Sequence, residues 1–394
     1  MILKPGKPPD SVTSYRPISL LPVMSKICEK TILSRLYPTI LEKKIIPNHQ
    51  FGFRNKHSTI EQVNRLTTEI KKIFEAKSYG TAVFLDVAQA FDKVWHNGLL
   101  YKLKKYFSPK LYKLLESYLT ARTFQVKINE QESKLYTINA GVPQGSVLGP
   151  ILYLIYTADI PLANDIMIAT YADDTAILSS NINPSIASKQ LQDYLTTLEA
   201  WFKKWRIKIN ENKSTHITFT LCKHTCPAVE INGMFIPQNN QAKYLGMYLD
   251  RRLTWQKHIW TKRKQLQLKL KNMYWLLGNK STLSLKNKIL LYKAILKPIW
   301  TYGIQLWGAS SISNINIFER FQSKTLRNIV NAPWFVSNEI IRKDLNIPTV
   351  MEEISNYHLR YTERLLNHPN QLATDILLSR NITSRLRRFK NKNN

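Results

Sequence analysis

Ile166-Met167-Ile168-Ala169-Thr170-Tyr171-Ala172-Asp173-Asp174-Thr175-Ala176-Ile177-Leu178 is the stretch on which the reading of this chain turns. Both flanks are apolar and β-prone, so it reads as a β-hairpin with an acidic tip. Carboxylates are costly in such a turn unless they are paired or hold a cation. A second site of the same design stands 87 residues upstream of Asp173, where the apolar run Thr81-Ala82-Val83-Phe84-Leu85 ends in Asp86. Two carboxylate-tipped strands in a strongly basic chain point to a divalent-metal site for phosphoryl transfer on nucleic acid.

The charge supports that direction. Across 394 residues, 57 Lys and Arg stand against 27 Asp and Glu, a formal net charge of +30. Solubility needs far less, so a polyanionic partner is implied. A hydrophobic content of 44% supports a real core and excludes wholesale disorder. The length allows two or three domains at roughly 150 residues each. Three cysteines (Cys28, Cys222 and Cys226) give no disulfide framework and fit a reducing compartment. Cys222-x-His224-x-Cys226 is spaced too tightly for an ordinary zinc site and lacks a second ligand pair. No run approaches the ~20 apolar residues of a membrane span, and the first five residues do not resemble a signal peptide. The chain opens directly on motif-like sequence, which predicts an incomplete polypeptide.

Along the chain, helices are expected over 24–41 and over 59–76, the latter capped by Ser58 or Thr59. A strand over 81–86 precedes a helix over 91–106. The turn Gly141-Val142-Pro143-Gln144-Gly145 leads into an apolar helix over 146–157, and the acidic hairpin follows. An amphipathic helix over 187–206 and strands over 217–221 and 244–249 come next. Residues 251–318 contain thirteen Lys or Arg and no Asp or Glu, with helical periodicity at 289–296. The composition change places a domain boundary near 250. Trp255, Trp260, Tyr274 and Trp275 read as core residues. The tail 380–394 is basic.

One ordered set of motifs carries a resemblance. It comprises Ser14-Tyr15-Arg16-Pro17-Ile18-Ser19-Leu20-Leu21, His49-Gln50-Phe51-Gly52-Phe53-Arg54, Phe84-Leu85-Asp86-Val87-Ala88-Gln89-Ala90-Phe91-Asp92, Gly141-Val142-Pro143-Gln144-Gly145-Ser146, the acidic hairpin, and Lys243-Tyr244-Leu245-Gly246. In this order the chain resembles the reverse transcriptase of non-LTR retrotransposons, particularly the jockey-like group, truncated at its N-terminus. The likeness runs from residue 3 to 250 and more loosely to 354. It implies an α+β right-hand polymerase: fingers and palm over 1–250 with an antiparallel palm sheet, a basic helical thumb over 251–330, and a helical extension with a basic tail over 331–394.

The resemblance also implies an RNA-directed DNA polymerase that joins dNTPs to a DNA primer on an RNA template. It implies two Mg²⁺ ions, with Mn²⁺ able to substitute, held by Asp86, Asp173 and Asp174. Arg16 matches the fingers arginine on the triphosphate, with Lys4 or Lys7 as possible helpers. Phe91 matches the steric gate against a 2′-hydroxyl. Gln144, Gly145 and Tyr171 match the nucleotide pocket, and Lys213 a general acid for pyrophosphate. Tyr244, Leu245 and Gly246 match the primer grip. Intracellular localisation, nuclear or cytoplasmic, follows from the family, and no membrane partner is expected.

Plainer readings stand beside some of these. Asp92 reads as an acid at a helix N-terminus, Lys213 equally as a surface lysine, and Arg54 and His57 either as template contacts or as ordinary surface residues. Three alternative functions are an RNA-copying RNA polymerase, a group II intron maturase-like enzyme and a non-catalytic nucleic-acid-binding remnant. Phe91 disfavours the first, because that class usually carries a second Asp there. The intact trio of Asp disfavours the last.

Overall fold

Strand β1, Tyr79–Leu85, is buried along nearly its whole length, and its side chains feed two different cores in alternation. Ala82 and Phe84 point into one, Val83 and Leu85 into the other, as the two-residue period of a strand requires. The computed structural model describes residues 2–3, 6, 8–11, 14–128 and 130–378. Lys4, Lys7 and the tail 380–394 lie outside the described residues.

Around β1 lies a four-stranded antiparallel sheet of order β4–β1–β3–β2, with β2 Ile166–Tyr171, β3 Asp174–Asn181 and β4 Thr215–Phe219. Helix α2, Thr59–Glu75, covers one face. A capping box starts it: Glu61 N donates to Ser58 Oγ, and Ser58 N donates to Glu61 Oε2 at 2.7 Å. Helices α5, Leu148–Tyr156, and α6, Pro184–Lys204, cover the other face. Between β1 and α5 come α3, His96–Tyr106, and α4, Pro109–Leu119, while α1, Val23–Glu42, lies upstream of α2.

The basic second half is helical, with α7 Gln256–Asn272, α8 Leu285–Leu291, α9 Ile312–Val330, α10 Asn338–Leu345, α11 Val350–Leu366 and α12 Gln371–Leu378. The periodic stretch at 289–296 is helical but widens to a π turn over Tyr292–Leu296. The α2-side core continues without a break through Tyr244, Trp300, Trp307 and Phe318 to Ile376. The C-terminal helices return onto α2: Asn64 Nδ2 donates to Tyr361 Oη at 2.9 Å, and Arg364 pairs with Glu61 at 2.9 Å.

Three expectations are corrected. The helix expected over 91–106 begins at His96; residues 88–93 are turns, and residues 91 and 94 tie back to residues 141–142 through Val142 N→Phe91 O and Gly141 N→Val94 O, both 2.8 Å. The strand expected over 244–249 is a hairpin, β5 Gln241–Tyr244 and β6 Met247–Asp250, turning at Leu245-Gly246, both with positive φ. Of the four aromatics expected in the core, only Trp255 is buried; Trp260, Tyr274 and Trp275 are exposed. Around Cys222-x-His224-x-Cys226 the backbone wraps Arg251, whose Nη2 reaches the carbonyls of Cys222, Lys223 and His224. The loop is thus organised by a guanidinium. No helix among the described residues is long and apolar enough to cross a membrane.

Candidate active site

The acidic tip is a two-residue turn, with Tyr171 in register with Asp174. Ala172 has φ 57° and Asp173 does not share the positive sign, the pattern of a type II′ turn, whose first position ordinarily goes to glycine. Gln50 holds the alanine there. Its buried side chain accepts from Ala172 N at 2.8 Å, donates to Ala172 O at 3.2 Å, and accepts from Gly52 N at 2.8 Å. Gly52 lies so close that a Cβ on it would sit 2.2 Å from Ala172 N. Phe51 N donates to Thr170 O at 2.9 Å, and Gln62 Nε2 bridges the carbonyls of His49 and Thr170. Residues 49–54 are therefore a brace under the acidic turn. Arg54 spends its guanidinium on Pro47 O and Gln50 O, both at 3.1 Å, and His57 lies between Asn55 O and Asn370 Nδ2. Arg54 Nη1 and both His57 ring nitrogens are thus engaged inside the fold.

Asp86 follows the last residue of β1. Continuing the β1–β3 register one step beyond Leu85↔Thr175 sets it opposite Asp174. On its other side the β4 register breaks: Val87 bridges Ile209, Asn210 N donates to Asp86 O, and residues 211–213 form a turn that carries Lys213. Asp86 is fixed by its backbone: its N donates to Ser214 Oγ at 3.2 Å, and its O accepts from Asn210 N at 2.8 Å. Lys213 N donates to Asn210 O, leaving an exposed side chain. One end of the sheet thus presents Asp86, Asp174 and Asp173, with Lys213 on the adjoining turn.

These carboxylates crowd one another. Burial lifts Asp173 above the usual carboxylate range; its own backbone N–H opposes this, the Asp86 charge adds to it, and Arg16 pulls the other way. Burial, then the charges of Asp173 and Asp86, push Asp174 up to about 6 against the pull of Lys243. None of the three is in an ion pair among the described residues. This is a site with unmet demand for positive charge.

Arg16 acts on Asp173 through its charge, from the N-terminal segment. It pairs with Ile2 across a short ladder, and three residues on Ser19 N donates to Gln144 O at 2.7 Å. Gly145, at φ +102°, lies beneath Ser19 O, and a Cβ there would come within 2.8 Å of it. Only glycine allows that approach. Gln144 Nε2 donates to Asp92 Oδ1 at 2.8 Å. Asp92 thus orients Gln144 and stands four residues before α3, correcting its reading as a helix-terminal acid. Phe91 stacks on Tyr153 (4.8 Å, 21°) and meets Phe53 edge-on (5.9 Å, 87°). Tyr153 itself is buried, and its hydroxyl is held neutral by burial and by Asp173 and Asp174. The aromatic stack therefore borders the carboxylates.

Tyr244 is buried in the core, its hydroxyl donating to Ala169 O at 2.9 Å beneath the acidic hairpin. Leu245 O accepts from Tyr302 Oη at 2.6 Å, and Gly246 packs on the same ring. The Lys262 ammonium lies over that ring at 5.3 Å, close enough to Lys243 to lower its own pKa, after the larger effect of burial. Arg263, by contrast, lies over Phe321 at 4.8 Å.

Sequence reading missed several supports of this site. Gln50 and Gly52 were visible as a motif, but not as a brace. Tyr153 is hidden in an apolar run. Glu29, buried on α1, accepts from Val147 N at 2.6 Å and Leu148 N at 3.0 Å. It caps α5 from a distant segment, so no local pattern reveals it.

The site is thus a sheet end with clustered carboxylates above a braced turn, within the field of an arginine. Residues 2–249 match the family described as reverse transcriptase (RNA-dependent DNA polymerase), and the chain belongs to that family. Over its whole length it is 45% identical to the probable RNA-directed DNA polymerase from transposon BS of Drosophila melanogaster, covering 44% of that protein. It is 43% identical to those from transposon X-element and mobile element jockey of the same species, over 96% and 95% of this chain and 42% of each relative. The chain thus spans less than half the length of these relatives. Among solved structures it is similar to telomerase from Candida tropicalis in complex with a fragment of telomeric RNA, at a TM-score of 0.42 and 13% identity over 90% of this chain and 56% of that one, a likeness too distant to build on.

Proposed function

We propose that this chain is the polymerase part of a mobile element's reverse transcriptase, adding dNTPs to a primer 3′-hydroxyl on an RNA template. One observation carries the reading: Asp86, just after β1, and Asp173 and Asp174, at the β2–β3 turn, meet outside any salt bridge at one end of the sheet within the field of Arg16. The donor set suits Mg²⁺, which takes one or two carboxylates and fills its shell with substrate phosphates and water. Among the described residues no three acidic, His or Cys side chains enclose an ion unaided, so the substrate's oxygens are part of the fit. Asp86 and Asp173 would hold the ions, with Asp174 assisting; Mn²⁺ would suit the same oxygens. Bound there, two divalent ions supply Lewis acidity to the attacking and leaving oxygens.

The chain's own residues do the rest. Arg16 neutralises charge that develops on the triphosphate. Phe91, backed by Tyr153, would stand where a 2′-hydroxyl would be and exclude ribonucleotides. Gln144, oriented by Asp92, and Gly145, with its bare backbone, line the sugar and base, with Tyr171 beside the acidic turn. Lys213, exposed beside Asp86, would give a proton from Nζ to the departing pyrophosphate. Leu245 and Gly246 would steady the primer end, with Tyr244 as the buried strut of that turn. On this reading residues 1–250 act as fingers and palm, 251–330 as thumb and 331–394 as an extension, and the chain works in the nucleus or cytoplasm. Primer extension on an RNA template tests it: Asp86→Asn and Asp173→Asn chains should melt no lower than wild type yet lose Mg²⁺-dependent synthesis. Extension near the wild-type rate by either would overturn the metal assignment.

A further inference from the structure

Trp334 and Phe335 are 89% and 70% exposed, adjacent in a loop between α9 and α10. Large aromatics so exposed cost free energy unless something covers them. The loop is also held in shape. Arg327 donates to Pro333 O and Val336 O, both at 2.6 Å, and to Asn338 Oδ1 at 2.9 Å. The two rings stand edge to face, their centroids 6.0 Å apart. A guanidinium thus presents two rings to solvent, and its own charge is met by neutral oxygens only.

The loop borders a groove of about 720 Å³ along α9, and Arg327 and Asn338 line both. Arg320 and Lys324 project into the same groove, exposed, with no carboxylate in salt-bridge range among the described residues. Its acid, Glu319, is spoken for by Arg342 at 2.9 Å and Val350 N at 2.8 Å. Along a helix, residues 320, 324 and 327 lie on one face, spaced by roughly 6 and 4.5 Å of axial rise. That is close to the spacing of successive phosphates along an extended single strand.

We propose that this groove and aromatic pair bind single-stranded nucleic acid, the α9 cations tracking the phosphates while Trp334 and Phe335 stack on unpaired bases. Cations with no acidic complement suit a polyanion, and sequence-tolerant stacking beside a cationic track is how such strands are held. An apolar protein partner would fit the rings but would leave the three cations unmatched. The site lies on elements that contribute nothing to the carboxylate end of the sheet. It shares with the function proposed above only that the chain meets nucleic acid.

The test uses the full chain, pre-saturated with template–primer duplex, and a labelled twelve-nucleotide oligo-U or oligo-dT read by fluorescence anisotropy across a salt series. Trp334→Ala with Phe335→Ala should weaken oligonucleotide binding at least about fivefold and leave the salt slope unchanged, since stacking releases no counterions. Arg320→Gln with Lys324→Gln should flatten the slope by about 1.4, at roughly 0.7 per phosphate contact. Trp334→Leu separates base stacking from general apolar contact and should bind as weakly as Trp334→Ala. The oligo-U and oligo-dT arms show whether the 2′-hydroxyl is read. Duplex nucleotide addition should be unchanged in the Trp334 and Phe335 variants, which keeps this site's failure separate from that of the polymerase reading. Unchanged affinity in the aromatic pair variant, or full binding by Trp334→Leu, would overturn the inference.

Discussion

Gly52→Ala tests whether the brace under the acidic turn controls chemistry. The added Cβ would lie 2.2 Å from Ala172 N and 2.9 Å from Tyr171 C, both backbone atoms of the turn, while ordinary contact begins at 3.4 Å. About 1.2 Å must be absorbed. Neither side can yield by rotating a side chain. Either the turn bearing Asp173 moves, or the loop at residues 50–52 moves and breaks the two Gln50 bonds that hold Ala172 at positive φ and the one from Gly52 N. A reacting group displaced by about 1 Å costs on the order of 100-fold in rate, about 2.7 kcal/mol of transition-state stabilisation. The assay is single-nucleotide addition on an RNA template at saturating dNTP, with thermal melting and duplex affinity measured alongside. The expected result is a kcat lowered by about 100-fold with duplex affinity within a few-fold of wild type. A kcat within twofold of wild type would show that the turn's position does not depend on Gly52, and the brace would be wrong.

Three further outcomes are expected. Phe91→Ala should raise rNTP relative to dNTP incorporation by at least about tenfold, the ratio that about 1.4 kcal/mol of relieved overlap gives; an unchanged ratio would remove Phe91 from the gate. Asp174 is raised from 3.8 to about 6, so the folded chain holds a proton that the unfolded chain has lost at intermediate pH; its contribution favours folding below about pH 4 and disappears as pH rises through about 6. Asp174→Asn should therefore melt above wild type at neutral pH, with the gap closing on acidification and narrowing when Mg²⁺ is added. A gap independent of pH would contradict the crowding of these carboxylates. Glu29→Ala strips the acceptor from two backbone N–H groups at the start of α5 and should cost about 2–4 kcal/mol in denaturant unfolding; a loss under 0.5 kcal/mol, roughly what a surface change gives, would mean that the cap is dispensable.

The catalytic candidates were legible in the sequence because their signals are local. An apolar run ending in Asp86, an apolar–acidic–apolar hairpin and a Gly-x-Pro-x-Gly-type turn each follow from strand period, turn chemistry and the cost of burying charge. The charge excess and the acid-free second half were equally visible. What tertiary structure alone decided is how those pieces are held. Ala172 keeps a glycine-like φ only because Gln50, 122 residues away, bonds both its N–H and its C=O. Glu29 caps α5 from 118 residues upstream. Asp92 serves Gln144 rather than a helix dipole, and Tyr153 backs Phe91 from inside an apolar run. Tyr244 turned inward as a strut, and one core runs past residue 250 to α12. Periodicity fixes which face a residue takes within its own element. Which distant polar group will satisfy a buried backbone atom depends on the packing of whole elements, and no local pattern encodes that.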